Sequence, residues 1–403
     1  MEERQVLVVG AGPVGLAAAL ALRSQGLAAT VLEAGPEDRP RVGSRAIYVH
    51  RETLERLEAI HTGLGWEVAG HGLVWAVKRT CWGGREVFSR SYPRPDPSFL
   101  PPFTSLAQTE TERLLADACK RAGVEMVWDT TVLGASSSEE AVVLETAEGA
   151  SWSAPYAIAA DGGRSAIRSS LGVAMTGSRS ERSFVIVDVE EDPGDPLPLE
   201  RVFHYHHPGV GGRNVLLVPF SGGWRVDLQC RRADDPSYFS GEGVGAWLAR
   251  VMPSRYAGRV SWVSTYRFLQ VLAGAFTDPR RRVLLVGEAA HLFAPFGARG
   301  MNSGIADAVA AAESIRRGLE APDPGTARQA VDAFARTRLA AARYNRAAAG
   351  AALEHMQGRG PVLAVKRLAA ARLALAGRRA GAWLDSAPYG PRGGSSRSGQ
   401  GRY

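Results

Sequence analysis

The chain has 403 residues, 45% of them hydrophobic and 22% charged, a composition typical of globular proteins that excludes a disordered or collagen-like chain. The formal net charge is +7, but Arg392, Arg397 and Arg402 lie in a Gly/Ser-rich tail, so the remainder is only weakly basic and nucleic acid is not an expected partner. The length exceeds that of most single domains and predicts two structural units.

The three cysteines, Cys81, Cys119 and Cys230, lie far apart and match no CxxC or metal-ligand spacing. This usage is typical of a reducing compartment, and it predicts neither a disulfide framework nor a metal site. The chain passes directly into an apolar strand without a signal-peptide pattern, and no segment reaches the length of a membrane span. We therefore expect a cytoplasmic protein.

The first elements in the chain form the pattern strand, glycine turn, helix, glycine stop, strand. The segment "QVLVV" is a short apolar run typical of a buried parallel strand, residues 13–25 are rich in Ala and Leu, and Gly26 is a helix stop. The segment "AATVLEA" predicts a second strand. Together these elements predict one βαβ unit.

Helices and short strands alternate in the middle of the chain. Residues 51–60 have helical periodicity, and a second helix is predicted in "QTETERLLADACKRAG", where Thr109 and Glu112 have the spacing of a capping box. Antiparallel strands are predicted at "LVWAVKR", "REVFSR", "FVIVDV", "RVFHYH", "NVLLVPF" and "WRVDLQ", because these segments are separated by Pro, Gly and Asp turns. From residue 283 the chain returns to strand, glycine loop and helix.

The segment "GAGPVG" places Gly10, Gly12 and Gly15 in GxGxxG spacing. The first glycine permits a tight turn, the second lets a pyrophosphate approach the backbone, and the third lets helix and strand pack closely. Glu33 ends the next strand, where a carboxylate would accept hydrogen bonds from ribose hydroxyls. A plain glycine turn and a solvated acid are the alternatives, but the strand–loop–helix context favours dinucleotide binding with phosphates at the helix N-terminus.

A second glycine-rich stretch, "VGEAAHLFAPFGARGMNSG", occupies residues 286–304. By itself it predicts only a glycine-capped loop before a helix, and the segment "ADGGRSAIRSSLG" at 160–172 predicts only a turn. The segments "GAGPVGLAAALALRSQGLAATVLEAG", "ADGGRSAIRSSLG" and "VLLVGEAAHLFAPFGARGMNSGIADA", taken in this order, resemble the FAD-dependent aromatic hydroxylases. These are single-component flavoprotein monooxygenases of the p-hydroxybenzoate hydroxylase type.

This resemblance implies an α/β fold in which a Rossmann-like βαβ domain that binds FAD is interrupted by an antiparallel β-sheet domain that binds substrate. The implied boundaries are 1–66, 103–180 and 271–355 for the FAD-binding domain, 67–102 and 181–270 for the substrate domain, 356–390 for a C-terminal helical segment, and 391–403 for a disordered tail.

The resemblance further implies that the two glycine-rich stretches hold opposite ends of one FAD. The residues expected at the cofactor are Gly10, Gly12, Pro13, Val14, Gly15, Glu33, Ala34, Arg45, Gln108, Asp161, Gly162, Gly287, Glu288, Pro295, Gly300, Met301 and Asn302. Glu288 stands where the family usually has Asp, so its contact with the ribityl chain must be re-aimed or mediated by water. The amides of Met301 and Asn302 and the following helix dipole would stabilise negative charge on the reduced flavin, and Pro295 is expected near its C4a and N5 atoms.

The sequence contains no GxSxG, HExxH or P-loop motif, which agrees with a cofactor that carries the difficult chemical step. By resemblance, NAD(P)H reduces the flavin, dioxygen adds to it, and the flavin C4a-hydroperoxide oxygenates a hydrophobic small molecule, aromatic or polycyclic, of the kind found in secondary metabolism. We expect His291 to pack within the protein instead of transferring a proton.

Candidate substrate contacts are weaker predictions. In "RVFHYHH", His204 and His206 lie on one strand face and Phe203 and Tyr205 on the other, and solvent-facing alternation explains the pattern as well as a pocket does. The residues predicted at the substrate are His204, Tyr205, His206, Phe220 and Phe296. Two other functions remain open, namely an FAD-dependent reductase or dehydrogenase on the same scaffold and a non-catalytic protein that holds flavin.

Overall fold

The structure of the protein is a computed structural model that describes residues 1–38, 46–358 and 360–390. Arg45 and the tail predicted at 391–403 lie outside the described residues. Within the described ranges, no helix combines the length and the apolar character that are needed to cross a membrane.

The strands of the described residues, numbered in chain order, are β1 Glu2–Glu3, β2 Val6–Val9, β3 Ala29–Leu32, β4 Tyr48–His50, β5 Val77–Trp82, β6 Arg85–Ser91, β7 Phe103–Ser105, β8 Glu125–Val127, β9 Val132–Ser137, β10 Val142–Thr146, β11 Ser151–Ala154, β12 Tyr156–Ala159, β13 Met175–Arg179, β14 Phe184–Glu190, β15 Glu200–His207, β16 Arg213–Phe220, β17 Gly223–Gln229, β18 Val260–Tyr266, β19 Leu269–Ala273, β20 Val283–Leu285 and β21 His291–Leu292. The α-helices are α1 Pro13–Ser24, α2 Arg51–Ile60, α3 Leu64–His71, α4 Gln108–Arg121, α5 Ala166–Ser170, α6 Pro236–Ser240, α7 Val244–Leu248, α8 Arg299–Leu319, α9 Pro324–Gln357, α10 Pro361–Ala374 and α11 Arg378–Ser386.

A five-stranded parallel sheet with the order β20-β12-β2-β3-β8 forms the centre of the first structural unit. Its strands β2, β3, β12 and β20 are buried along their whole length, which explains why each is a continuous apolar run. Helices α1 and α8 pack against each other and both contact β12. The predicted βαβ unit is confirmed, because β2 and β3 are parallel neighbours joined by α1.

A seven-stranded sheet with the order β18-β14-β17-β16-β15-β5-β6 forms the second unit. Its strands come from both segments that were predicted as the substrate domain, and all neighbouring pairs are antiparallel except β15 and β5. One face packs Val187, Val226 and Leu228 against α7 in a separate hydrophobic cluster. The residues that alternate with them, such as Ile186 and Asp227, therefore point to the opposite face.

The helical elements differ from the predictions at two boundaries. The segment predicted to start at 356 begins inside α9, because this helix continues to Gln357 and ends where Gly358 adopts a φ of 61°. The capping box predicted at Thr109 is wrong. Helix α4 begins one residue earlier, and the carboxylate of Glu112 accepts from the Nε2 of Gln108 instead of reaching back to a cap.

Candidate functional site

A cavity of about 1900 Å³ lies between the parallel sheet and the seven-stranded sheet. Its wall includes part of the first glycine loop, residues 10–15, and part of the second glycine loop, residues 286–304. The wall also includes residues of α2 and α4, one face of the seven-stranded sheet, and the segment that follows α11. The cavity is larger than a typical site for one small molecule, so an elongated cofactor and a substrate both have room.

The first glycine loop needs glycine for two different reasons. Gly10 has a φ of 99°, and a Cβ there would lie 2.6 Å from the carbonyl oxygen of Ala160. A Cβ at Gly15 would overlap the carbonyl oxygen of Gly10. At Gly12, by contrast, a Cβ would meet no protein atom within 4 Å, and this residue lines the cavity. Two glycines thus serve the fold, and the third leaves backbone open to a ligand.

Glu33 fixes the first glycine loop from the end of β3. Its buried carboxylate accepts hydrogen bonds from the backbone N–H of Ala11 at 2.6 Å and of Gly35 at 3.0 Å. The structure therefore shows Glu33 bonded to the loop itself, and Ala34, beside it, is exposed and lies outside the cavity lining. A contact from Glu33 to ribose stays a prediction.

The segment at 160–172 reaches the cavity beside the first glycine loop. Gly162 lines the cavity with a φ of 80°. Asp161 lies behind the wall, where its Oδ2 accepts from the backbone N–H of Ile167 at 3.2 Å. Its Oδ1 is buried and has no partner among the described residues. A buried carboxylate oxygen without a partner is costly, so this position suits a donor from a bound molecule.

The two glycine loops meet at one side chain, Val14. A Cβ at Gly287 would lie 3.1 Å from Val14 Cγ1, and a Cβ at Gly304 would lie 2.5 Å from Val14 Cγ2. The second glycine loop can therefore press its backbone against α1 only because these positions lack a side chain. Residues nearly three hundred positions apart in the chain are packed against each other at the cavity.

A buried charge cluster holds the second glycine loop in place. Asp307 of α8 accepts from Gly287 N at 3.2 Å and lies 2.6 Å from both His291 Nε2 and Arg338 Nε. Burial raises the pKa of this carboxyl, but His291 and Arg338 outweigh burial and hold the pKa below its ordinary value. The ring of His291 stacks on Phe293 with centroids 4.6 Å apart. The geometry gives His291 a packing and ion-pairing position behind the cavity wall.

Of the residues of the second glycine loop that were predicted at the cofactor, Glu288, Pro295, Gly300, Met301 and Asn302 line the cavity, whereas Gly287 lies outside the lining and packs against Val14. Helix α8 begins at Arg299, so its first-turn N–H groups, which lack acceptors within the helix, belong to this wall.

Two of the residues predicted at the cofactor, Asn302 and Gln108, hold parts of the cavity wall together. The side chain of Asn302 accepts from His50 N at 3.0 Å and donates to Tyr48 O at 2.9 Å. Gln108 also lines the cavity and accepts from Ala46 N at 3.0 Å. These bonds tie the cavity wall to β4 and α4.

Most of the predicted substrate contacts lie elsewhere. Phe296 lines the cavity, whereas Phe220 lies outside the lining and packs against Trp75 and Phe103, which do line it. Tyr205 is fully buried under the C-terminal helices, where its hydroxyl contacts His355 Nε2 and donates to Leu384 O, both at 2.8 Å.

The two histidines of this strand that were predicted at the substrate, His204 and His206, also lie outside the cavity lining. His204 points to the other face of β15, where burial, and then His207, lower its pKa to about 4. His206 is exposed at a bulge, with a φ of 53°. A contact of these residues with substrate stays a prediction, and in this segment Arg201 and Phe203 line the cavity.

Charged residues on the sheet face were missed by the sequence analysis. Arg201 of β15 and Arg225 and Asp227 of β17 line the cavity together with Phe203 and Leu216. Arg225 forms a bidentate ion pair with Asp188 of β14, with both distances 2.8 Å. The signal in the sequence was the regular alternation of charged and apolar residues in "WRVDLQ", which normally marks a solvated face.

The residues present fit an FAD molecule. The cavity wall offers open backbone at Gly12 and the N-terminus of α1, which suit a pyrophosphate. It also offers the N-terminus of α8, and its apolar side chains suit a flat ring system. The buried Oδ1 of Asp161, which has no partner among the described residues, suits a donor from a bound molecule.

Comparison with known proteins gives the same picture. A family model described as FAD binding domain matches residues 3–345. The 6-methylpretetramide 4-monooxygenase of Streptomyces rimosus is 31% identical over 314 residues, which cover 75% of this chain and 54% of that protein. Rifampicin monooxygenase of Streptomyces venezuelae is 30% identical over 333 residues, with coverages of 75% and 62%. The chain thus spans little more than half the length of the curated relatives it matches.

Among solved structures, p-nitrophenol 4-monooxygenase from Pseudomonas putida DLL-E4 superposes with a TM-score of 0.78 at 23% identity, covering 97% of this chain and 100% of that one. At this identity the likeness shows the fold alone. The family match and the structural likeness confirm both the predicted fold class and the resemblance seen in the sequence.

Proposed function

Because the chain belongs to the FAD binding domain family, we propose that it is an FAD-dependent monooxygenase that uses NAD(P)H and dioxygen to oxygenate a hydrophobic aromatic or polycyclic molecule. The observation that carries this proposal is the meeting of the two glycine loops at Val14, with the open positions Gly12 and Gly300 both on the wall of one cavity. Such an arrangement suits one elongated cofactor with a substrate beside its far end.

The first glycine loop would hold the adenine half of FAD. At the N-terminus of α1, the missing N–H of Pro13 is no loss, and the following amides face the cavity with the positive end of the helix dipole. Gly12 leaves space for phosphate oxygens to approach these amides. Glu33 keeps the loop in this shape through its bonds to Ala11 and Gly35.

The second glycine loop would hold the flavin half. When bound, FAD supplies hydride acceptance and activation of dioxygen. The N-terminus of α8, at Met301 and Asn302, would stabilise negative charge at this end of the cavity. Pro295 and Phe296 contribute apolar surface that excludes water from the reacting region. Glu288 stands at the cavity where a ribityl chain would pass.

The substrate would lie against the face of the seven-stranded sheet. Phe203, Leu216 and Val218 form an apolar strip there, and the stacked rings of Tyr48 and Phe103, 4.5 Å apart, stand nearby. Flat apolar surface of this kind suits aromatic rings. The relatives' names, which refer to oxygenation of 6-methylpretetramide and of rifampicin, support the same substrate class. We further propose a cytoplasmic location, because Cys81, Cys119 and Cys230 are free thiols.

The experiment uses purified protein loaded with FAD and mixed with NADH or NADPH, first without oxygen and then with labelled dioxygen and a panel of phenols and polycyclic aromatics. We expect bleaching of the flavin in the first step and one labelled oxygen atom in the product of the second. Bleaching and NAD(P)H consumption without label would instead assign a reductase or dehydrogenase. A flavin that never bleaches, with every ligand of the panel present, would assign a flavin-holding protein.

A further inference from the structure

Asp227 is a carboxylate on the cavity wall that the fold does not pair. Its Oδ1 is buried without a partner, and within the described residues no ion pair or hydrogen bond engages this side chain. Its neighbour Asp188 differs, since both of its carboxylate oxygens accept from Arg225. The residue as a whole is half-buried, but a buried carboxylate oxygen without a partner is costly, so its place on a cavity wall suits a partner that arrives with a ligand.

The register of the sheet shows what surrounds this carboxylate. Asp227 pairs with Ile186 of β14 on one side and with Leu216 of β16 on the other, and Leu216 pairs with Phe203 of β15. These residues line the cavity as one row. Among these four cavity-lining residues, Asp227 is the polar one and the other three are apolar. An aromatic ring that packs on Leu216 and Phe203 would have one edge beside the carboxylate of Asp227, because Asp227 is the neighbour of Leu216 in the sheet.

The adjacent row of the same face carries positive charge. Arg225 lies two residues from Asp227 on β17, and Arg201 of β15 lies across the sheet with its guanidinium 4.7 Å from the centroid of the Tyr389 ring. Burial raises the pKa of Asp227 to about 6, Arg225 and Arg201 oppose this rise, and Asp188 adds to it. The group is thus an ionised hydrogen-bond acceptor at neutral pH, and it loses that character below about pH 6.

We propose that Asp227 is a specificity-determining residue that accepts a hydrogen bond from a hydroxyl group on the aromatic ring of the substrate. The apolar residues Ile186, Leu216 and Phe203 favour an aromatic ring, and the carboxylate of Asp227 favours a hydrogen-bond donor at the edge of that ring. A ligand with a methoxy group in that place has no proton to donate and leaves the carboxylate unpaired. This inference rests on the proposed function for the identity of the site, but it concerns binding and not oxygen transfer.

The experiment measures binding of 2-naphthol and of 2-methoxynaphthalene to the FAD-loaded protein without NAD(P)H, by the change in flavin absorbance. We expect the parent protein to prefer the naphthol on the order of tenfold or more, because a hydrogen bond to a charged acceptor is stronger than a neutral one. Asp227→Asn should lose most of this preference, and Asp227→Leu should lose all of it. Both variants should bind the methyl ether at least as tightly as the parent does, because neither leaves a carboxylate unpaired beside it.

The pH profile separates charge from shape. The preference of the parent for the naphthol should fall as pH decreases through about 6, because protonation of Asp227 removes the charged acceptor. In Asp227→Asn the profile should be flat. The matched control is Asp195→Asn, the same change at a side chain that is 74% exposed in an ion pair with Arg255, and it should keep both the preference and the profile.

The unfolding temperature distinguishes a residue that binds the substrate from one that stabilises the fold. Asp227→Asn and Asp227→Leu should unfold at a temperature no lower than that of the parent at pH 8, because each removes an unpaired charge. Variants that unfold at a lower temperature, or that keep the full preference for the naphthol, would overturn the proposal.

Turnover separates this proposal from the proposed function. If Asp227→Asn incorporates labelled oxygen into naphthol with an unchanged KM, the role of Asp227 in binding is wrong and the monooxygenase function is kept. If no labelled oxygen is incorporated but the preference for the naphthol depends on Asp227, the role of Asp227 in binding is kept and the monooxygenase function is wrong.

Discussion

The two glycine loops solve the same problem by different physical means. In the first glycine loop, Gly10 and Gly15 are required by backbone atoms of the protein itself, and the carboxylate of Glu33 accepts from the backbone N–H groups of Ala11 and Gly35. In the second, Gly287 and Gly304 make room for a side chain, Val14, and the loop depends on a buried charge cluster around Asp307. The first loop is thus rigid through its own backbone, while the second is positioned by elements that follow it in the chain.

The largest expected effect is at Gly15, where an added Cβ would overlap the carbonyl oxygen of Gly10. Backbone cannot yield as a side chain does, so Gly15→Ala should lower the free energy of unfolding by on the order of 4 kcal/mol or more and abolish FAD retention. Chemical denaturation and flavin absorbance after gel filtration measure both. Gly70→Ala, in α3 with no atom within 4 Å, is the control and should be neutral or stabilising. A stable, yellow Gly15→Ala protein contradicts the account of the first loop.

The next effect concerns the charge cluster of the second glycine loop. Asp307→Asn leaves Arg338 without a counter-charge and removes the carboxylate partner of His291, which should cost about 3–5 kcal/mol at neutral pH. Glu33→Gln in the first glycine loop keeps one oxygen for the backbone donors and should cost only about 1–2 kcal/mol.

The pH dependence sharpens this difference. The pKa of Asp307 is held below its ordinary value, so its contribution to stability is complete above the pKa of an unfolded aspartate and is lost as pH falls through the lowered value. In Asp307→Asn, the free energy of unfolding should therefore fall less steeply as the pH is lowered. Urea denaturation at several pH values measures this difference. If Asp307→Asn and Glu33→Gln lower the free energy of unfolding by the same amount, the two loops do not differ in how they are held in place.

A smaller effect tests the contact between the loops. Gly304→Ala places a methyl group 2.5 Å from Val14 Cγ2 and should cost about 1–3 kcal/mol. Val14→Ala should relieve this overlap, so the double variant should be more stable than the sum of the single costs predicts by about 1 kcal/mol or more. Gly300→Ala, which meets no atom within 4 Å, should show no coupling with Val14. Additive costs for Gly304 and Val14 would mean that the loops do not touch.

The sequence predicts the parts of the site that depend on local chemistry. The βαβ unit and both glycine loops were predictable, because a strand, a turn and a helix N-terminus each have a short-range pattern. The positions of Gly12 and Gly300 on the cavity wall follow from the same patterns. What the sequence does not contain is the register that joins distant strands, which puts Asp227 beside Leu216 and Phe203.

Tyr205 illustrates the same limit. It shares a strand face with Arg201 and Phe203, yet it lies beyond the cavity because α9 and the segment near Leu384 cover it. No periodicity within β15 distinguishes a residue under the cavity from one under a helix that comes 150 residues later in the chain. Charged residues that face a cavity also have the same alternation as charged residues that face water, so Arg225 and Asp227 were indistinguishable from a solvated face.

The central claim, that the two loops hold opposite halves of one cofactor, is tested most directly by titrating the apoprotein with ADP and with riboflavin in two variants. Gly12→Ala should weaken ADP binding on the order of tenfold and leave riboflavin binding unchanged, whereas Gly300→Ala should weaken riboflavin and leave ADP unchanged. Both variants should weaken FAD. If both substitutions affect the same half of the cofactor, or if neither changes FAD binding, the claim is contradicted.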